Sequence, residues 1–268
     1  MRILLTNDDG IQAVGFRSLH AALEGLGELV PIAPLTVQSA TSHGITYHDP
    51  LFVEDVDVAG RFVGTAVDGR PADCVKLAIT TLWEERFGKG ERPDLTISGL
   101  NSGANIGINV LYSGTVAAAM ESAFLGVPSI AVSLLIADKS ATEWSRAAAL
   151  ARIFIDRILD LGLESHDVVN LNLPRTETPD LPVPDLRVVP MNTAPLAEHY
   201  EHRTSPAGQQ YYWAAGTGLN FEHTAAGSDV EAIFEGAATV TPLSFDMTST
   251  DRMDSMKKGL ETTDASVS

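Results

Sequence analysis

A single cysteine, Cys74, occurs in the 268 residues, which excludes an intrachain disulfide framework and a cysteine-based zinc site. Basic residues are scarce: 18 Lys and Arg stand against 35 Asp and Glu, a formal charge of −17. So acidic a chain repels polyanions, so neither a nucleic-acid polymer nor an anionic membrane surface is an expected partner. No apolar run approaches the roughly 18–20 uncharged residues of a membrane span. The N-terminal apolar run is cut by Asn7-Asp8-Asp9 before signal-peptide length, and a soluble, cytoplasmic protein is the expectation. Also missing are G-x-G-x-x-G after the first strand and G-x-x-x-x-G-K-[ST] anywhere, so dinucleotide and P-loop readings fail. An anionic ligand would therefore need positive charge supplied locally, by a metal, a helix N-terminus or an arginine.

Hydrophobic residues make up 44% of the chain, enough to bury a substantial core in one α/β domain with an appendage. Residues 2–6 read as a buried strand, and Phe16, Leu19, Leu23 and Leu26 follow helical spacing. A second strand is expected over Glu28–Ala33, with its proline suggesting a sheet edge or a strand start. Short runs at Ile45–Tyr47, Leu51–Val53 and Arg61–Val63 suggest antiparallel strands. Helix over 72–86, strand over 94–98, helix over 114–125, strand over 129–134, helix over 143–161 and strand over 168–173 follow in alternation. That alternation means a doubly wound, mostly parallel sheet.

After Pro174 the rhythm breaks. Prolines recur up to Pro195, and Tyr200, Tyr211, Tyr212 and Trp213 gather aromatic surface. The division expected is a catalytic core over 1–175 and an extension over 176–268 with hairpins, a short helix at 229–234, a strand at 238–245 and a terminal helix around Met253, Met256 and Leu260. Aromatic residues on protruding strands suit a subunit contact.

The chemistry concentrates where strands end, the ligand-binding edge of an open α/β sheet. Asp8 and Asp9 close the first strand. Either they cap the following helix, or a divalent cation holds the two anions together. Ser39 follows the second strand and Asn101 the strand over 94–98, each an ordinary turn residue taken alone. Together with Asp8 and Asp9 they form an all-oxygen donor set of the kind Mg²⁺, Mn²⁺ or Ca²⁺ prefers. Ser113-Gly114-Thr115 opens a helix as a cap or, with its free N–H groups and dipole, as a phosphate cradle beside Asn105.

These residues resemble the SurE (survival protein E) family of metal-dependent nucleotidases. The likeness lies in Arg2-Ile-Leu-Leu-Thr-Asn-Asp-Asp-Gly10, the loop around Ser39, Pro71-Ala-Asp-Cys-Val75, Ile97-Ser-Gly-Leu-Asn-Ser-Gly-Ala-Asn105 and Tyr112-Ser-Gly-Thr-Val-Ala-Ala-Ala-Met120. It continues in Asn170-Leu-Asn-Leu-Pro174, Tyr212-Trp213 and Val240-Thr-Pro-Leu243. The resemblance implies a Rossmann-like, three-layer fold with a protruding C-terminal extension, assembled as a homodimer or homotetramer. It implies hydrolysis of nucleoside 5′- and 3′-monophosphates, with short polyphosphate as a side substrate. One divalent ion, Mg²⁺ or Mn²⁺, would be held by Asp8, Asp9, Ser39 and Asn101. Asn105, Ser113, Gly114 and Thr115 would hold the phosphate, with Asp8, Asp9 and Asn105 as the catalytic groups.

Arg70, Asn109 and His43 depart from the family's pattern and bear on substrate preference. Arg70 in particular offers a cation near the substrate loop. Two rival readings stay open. A phosphatase using Asp8 as covalent nucleophile usually has a second Asp two residues on, where this chain has Gly10. A nucleotide- or metal-sensing protein without turnover would keep the same ligands.

Overall fold

The computed structural model describes residues 1–178, 181–216 and 218–264. Pro179 and the polar tail after Asp264 lie outside the described residues. Nine strands form one sheet in the order β3-β4-β2-β1-β5-β6-β7-β11-β8. They are β1 (Arg2–Thr6), β2 (Glu28–Pro34), β3 (Val53–Val58), β4 (Phe62–Val67), β5 (Leu95–Ser102), β6 (Ser129–Leu134), β7 (Val168–Leu173), β8 (Leu186–Val188) and β11 (Ala238–Leu243). The run from β4 to β7 is parallel throughout, while β3 on β4 and β11 on β7 are antiparallel. This is the mostly parallel α/β sheet expected from the alternation of strand and helix.

Apolar alternation on β1 assigns the two faces. Ile3 and Leu5 pack with Phe16, Leu19 and Leu23 of α1 (Val14–Leu23) and with Phe154, Ile155 and Ile158 of α5 (Trp144–Asp160). Leu4 turns the other way, toward Val75 of α2 (Pro71–Leu77) and Ala118 of α4 (Gly114–Phe124). A period of two on the strand and 3.6 on the helices is therefore enough to make three layers. Helix α2 runs on through a π turn, Ala78–Leu82, into α3 (Trp83–Phe87), the single helix expected over 72–86.

Two local expectations are corrected. Strand β2 is interior, not an edge: Pro31 pairs with Leu5 of β1, and the ladder to β4 begins one residue later at Ile32. Gly64 of β4 makes room, since a Cβ there would lie 3.3 Å from the Pro31 ring. Ile45–Tyr47 forms no strand, because the Thr46 N–H and hydroxyl donate to Asp73 at 2.8 and 2.7 Å. Those bonds fasten the segment to the start of α2 instead of to a ladder. The antiparallel pair lies at β3 and β4, turning through Ala59 and Gly60, both left-handed.

The stretch after Pro174 supplies β8 and β11 to the main sheet. Its hairpin, β9 (His199–Thr204) with β10 (Gln210–Ala215), forms a separate two-stranded sheet with Tyr200, Tyr212 and Trp213 exposed. Helix α6 (Asp229–Phe234) ties the extension back: Asp229 accepts from the Gly107 and Asn192 amides, each at 2.8 Å. A final helix, α7, spans Thr250–Asp264. No helix among the described residues is long and apolar enough to cross a membrane.

Candidate active site

Strand order reverses at β1: the chain moves to β2 on one side and later to β5 on the other. Such a switch point opens a crevice at the carboxyl edge of the sheet. A cavity of about 510 Å³ lies there, lined by Asp8, Asp9, Ser39, Asn101, Asn105 and Ser113 among others. Six of the eight site residues expected from the sequence therefore face one space. Gly114 and Thr115 stand behind it.

Their position explains how Asp8 is held. The Thr115 hydroxyl donates to Asp8 Oδ1 at 2.6 Å. A Cβ on Gly114 would stand 2.9 Å from Asp8 Cβ and 3.1 Å from its Oδ2, so only glycine lets the helix start approach this closely. Ser113 caps α4, its Oγ accepting from the Val116 N–H at 3.1 Å, while still lining the cavity. One side chain thus caps the helix and faces the cavity.

Asp9 accepts from the Ser102 N–H at 2.8 Å, a bond from the end of β5 to the loop after β1. The loop turns at Gly10 (φ +90°), and Asn7 braces it by donating to the Gly10 carbonyl at 2.9 Å. Exposed Ser39 is brought in when the Gln38 N–H donates to the Asp8 carbonyl at 2.8 Å. The Asn101 amide donates to the Gly103 carbonyl at 2.7 Å, which leaves its oxygen as the group to offer a ligand.

Asn105 is fixed most heavily. Its N–H donates to Asn172 Oδ1 at 2.8 Å, and its carbonyl accepts from Asn170 and Asn172 at 2.8 and 3.0 Å. Its own amide donates to Ser133 Oγ at 2.8 Å, so one amide hydrogen remains.

Burial pushes the Asp8 carboxyl up to about 6, reinforced by the charge of Asp9 and opposed by the Thr115 hydroxyl and nearby backbone amides. Holding both carboxylates ionised thus costs free energy that a cation would offset. The donor set suits one: two carboxylates, a hydroxyl and an amide oxygen. All four donors are oxygens, so a hard cation is the class that fits, although among the described residues no group of three or more His, Cys, Asp or Glu stands together.

The remaining expectations divide. Arg70 does not line the cavity; its guanidinium lies against Gly44 and reaches the Ile45 carbonyl at 3.5 Å. The cation that does line it is Lys139, in the loop after β6, which sequence patterning passed over because a lone lysine in a polar loop carries no spacing signal. Asn109 lines the cavity and donates to the Gly218 carbonyl, so it binds the extension to the site. His43 stands outside the cavity lining, on buried Glu121 of α4 at 2.8 Å. Cys74 is fully buried, and burial pushes its thiol up, consistent with inert core.

An α/β sheet with acidic and amide oxygens gathered at its switch point defines the class, and the comparisons make it particular. Residues 3–198 match the model of the family described as survival protein SurE. A 5′-nucleotidase SurE of Rhodopirellula baltica is 44% identical over 257 residues, covering 96% of this chain and 98% of that one. Another, of Heliobacterium modesticaldum, is 41% identical over 92% of this chain and 88% of its own. The crystal structure of the SurE protein from Aquifex aeolicus superposes with a TM-score of 0.79 at 33% identity, covering 96% of this chain and 99% of that one. The chain belongs to the SurE family.

Proposed function

We propose that the protein is a metal-dependent phosphomonoesterase acting on nucleoside 5′- and 3′-monophosphates, with short-chain polyphosphate as a further substrate. The observation that carries this reading is the meeting of Asp8, Asp9, Ser39 and Asn101 in one cavity with Asn105 and the start of α4. The first four would hold one divalent ion, Mg²⁺ or Mn²⁺. Such an ion neutralises phosphate oxygens and lowers the pKa of the attacking water.

The remaining work falls to the chain. Asp8 or Asp9 takes the proton of the attacking water, as a carboxylate within hydrogen-bond reach can. The free amide hydrogen of Asn105 and the start of α4 at Ser113, Gly114 and Thr115 stabilise charge on the phosphoryl oxygens, preorganised donors that need no rearrangement during reaction. Residues 1–175 would form the catalytic core, since among the described residues all that line the cavity except Gly218 and Leu219 come from it. The exposed aromatic hairpin of the extension would serve self-association as a homodimer or homotetramer, in a cytoplasmic enzyme.

The test is phosphate release from a panel of mononucleotides after chelation and add-back of Mg²⁺ or Mn²⁺. Turnover is expected to vanish on chelation and return with metal, and Asp9→Ala should abolish it even at high Mn²⁺. Normal turnover in that variant would sink the metal-site assignment. Binding of AMP without release under both metals would instead favour a sensing protein.

A further inference from the structure

The cavity is short of positive charge. Two carboxylates face it in a chain of net charge −17, and Lys139 is its one cationic lining residue among those described. Of the other cations near this end of the sheet, Lys76 lies 3.4 Å from Glu121, Arg70 lies against Gly44, and Arg175 lines a separate cavity. Lys139 is exposed, and no ion pair engages it among the described residues.

The backbone beneath that side chain is fixed. Glu177 Oε1 accepts from the Ala137 and Asp138 amides at 2.8 and 3.2 Å. Asp138 Oδ1 accepts from the Ser140 N–H and hydroxyl at 2.8 and 2.6 Å, and its carbonyl from Thr142 at 2.9 Å. Both neighbouring carboxylates are thus committed to the loop. The result is an unpaired ammonium on a pinned loop, at the mouth of a cavity whose floor is acidic.

We infer that Lys139 is a substrate-binding residue that takes the substrate's phosphate dianion and sets a preference for phosphomonoesters over singly charged phosphodiesters. The inference rests on the phosphomonoesterase reading above. An ammonium is a compact point charge, and its Coulomb attraction to a dianion is twice that to a monoanion at the same distance. The same pairing lets an anionic substrate approach Asp8 and Asp9. Because the side chain is exposed, its contribution should weaken as salt is added.

Kinetics on the whole protein with Mg²⁺ test this, using Lys139→Ala, Lys139→Arg and Lys89→Ala, the last an exposed lysine away from the cavity. At low salt Lys139→Ala should raise KM for AMP and the inhibition constant of inorganic phosphate about tenfold, the usual weight of a hydrogen bond to a charged group. Its kcat should change less than about threefold, since binding and not chemistry is lost. Lys139→Arg should recover most of the loss, and raised salt should narrow the gap to wild type. Unchanged constants in Lys139→Ala, or an equal loss in Lys89→Ala, overturn the assignment. Wild-type protein that fails to hydrolyse AMP would overturn the phosphomonoesterase reading separately. Calorimetric titration with inorganic phosphate then decides Lys139 alone: weaker binding in Lys139→Ala supports it, and equal affinity or no binding in either protein rejects it.

Discussion

The cavity floor and the β9–β10 hairpin are built on opposite plans. In the floor the side chains of Asp8, Asp9 and Asn105 have partners distant in sequence: Thr115 on Asp8, Ser102 on Asp9, Ser133 on Asn105. In the hairpin each residue pairs with a neighbour across one short turn, and Tyr200, Tyr212 and Trp213 stay 68, 67 and 62% exposed. The floor exists only when the whole sheet has formed. The hairpin needs little of the sheet, but its rings lack cover, which is the usual mark of a contact surface.

The largest effect should come from breaking the floor at its most costly group. On the proposed metal site, Asp8→Asn should cut phosphate release on the order of a thousandfold, as loss of a charged ligand does. The same change should stabilise the metal-stripped protein. Because the folded carboxyl is raised from 3.8 to about 6, the unfolded chain releases its proton first as pH rises. The penalty is therefore absent below about pH 4 and fully present above about pH 6, on the order of 3 kcal/mol. Thermal melts of the stripped variant and wild type should diverge across that window; coincident melts at pH 7 would remove burial as the cause.

A smaller loss should follow Gly114→Ala. The added methyl would stand 2.9 Å from Asp8 Cβ, and a displacement of about 1 Å at a reacting group costs up to roughly a hundredfold. Steady-state kinetics beside a melting curve separate this from unfolding, and unaltered kcat/KM would show that α4 can yield. The smallest effect on the fold should come from Tyr212→Ser with Trp213→Ser, within about 0.5 kcal/mol because neither ring is buried. If the hairpin carries the proposed self-association, size measurement should show a smaller particle than wild type; an unchanged size would remove the hairpin as the contact.

What was legible in the sequence follows the same division. The strands over 129–134 and 168–173 appear with the expected bounds, because runs such as Val-Val-Asn-Leu-Asn-Leu between breakers carry their own signal. Asp8, Asp9, Ser39 and Asn101 could be found as a set because each lies in or just beyond the carboxyl end of a strand, and those ends share one edge. Lys139 could not, since only the closed sheet brings its loop over the cavity. The bond from the Thr115 hydroxyl to Asp8 was equally hidden, a pairing across 107 residues that no local pattern announces. Pro31 suggested an edge for a related reason: its place inside the sheet is set by the ladder to β4, which begins one residue later at Ile32 on a strand far along the chain.

Asn170 and Asn172 have one more consequence. They lie two apart on β7, on the same face, while Val169, Leu171 and Leu173 join the apolar core on the other. A slip of one residue in this strand would turn both amides into that core and leave them without partners. The pair that anchors the Asn105 loop therefore also acts as a key for strand alignment, making a misthreaded sheet costly in the same act that completes the cavity.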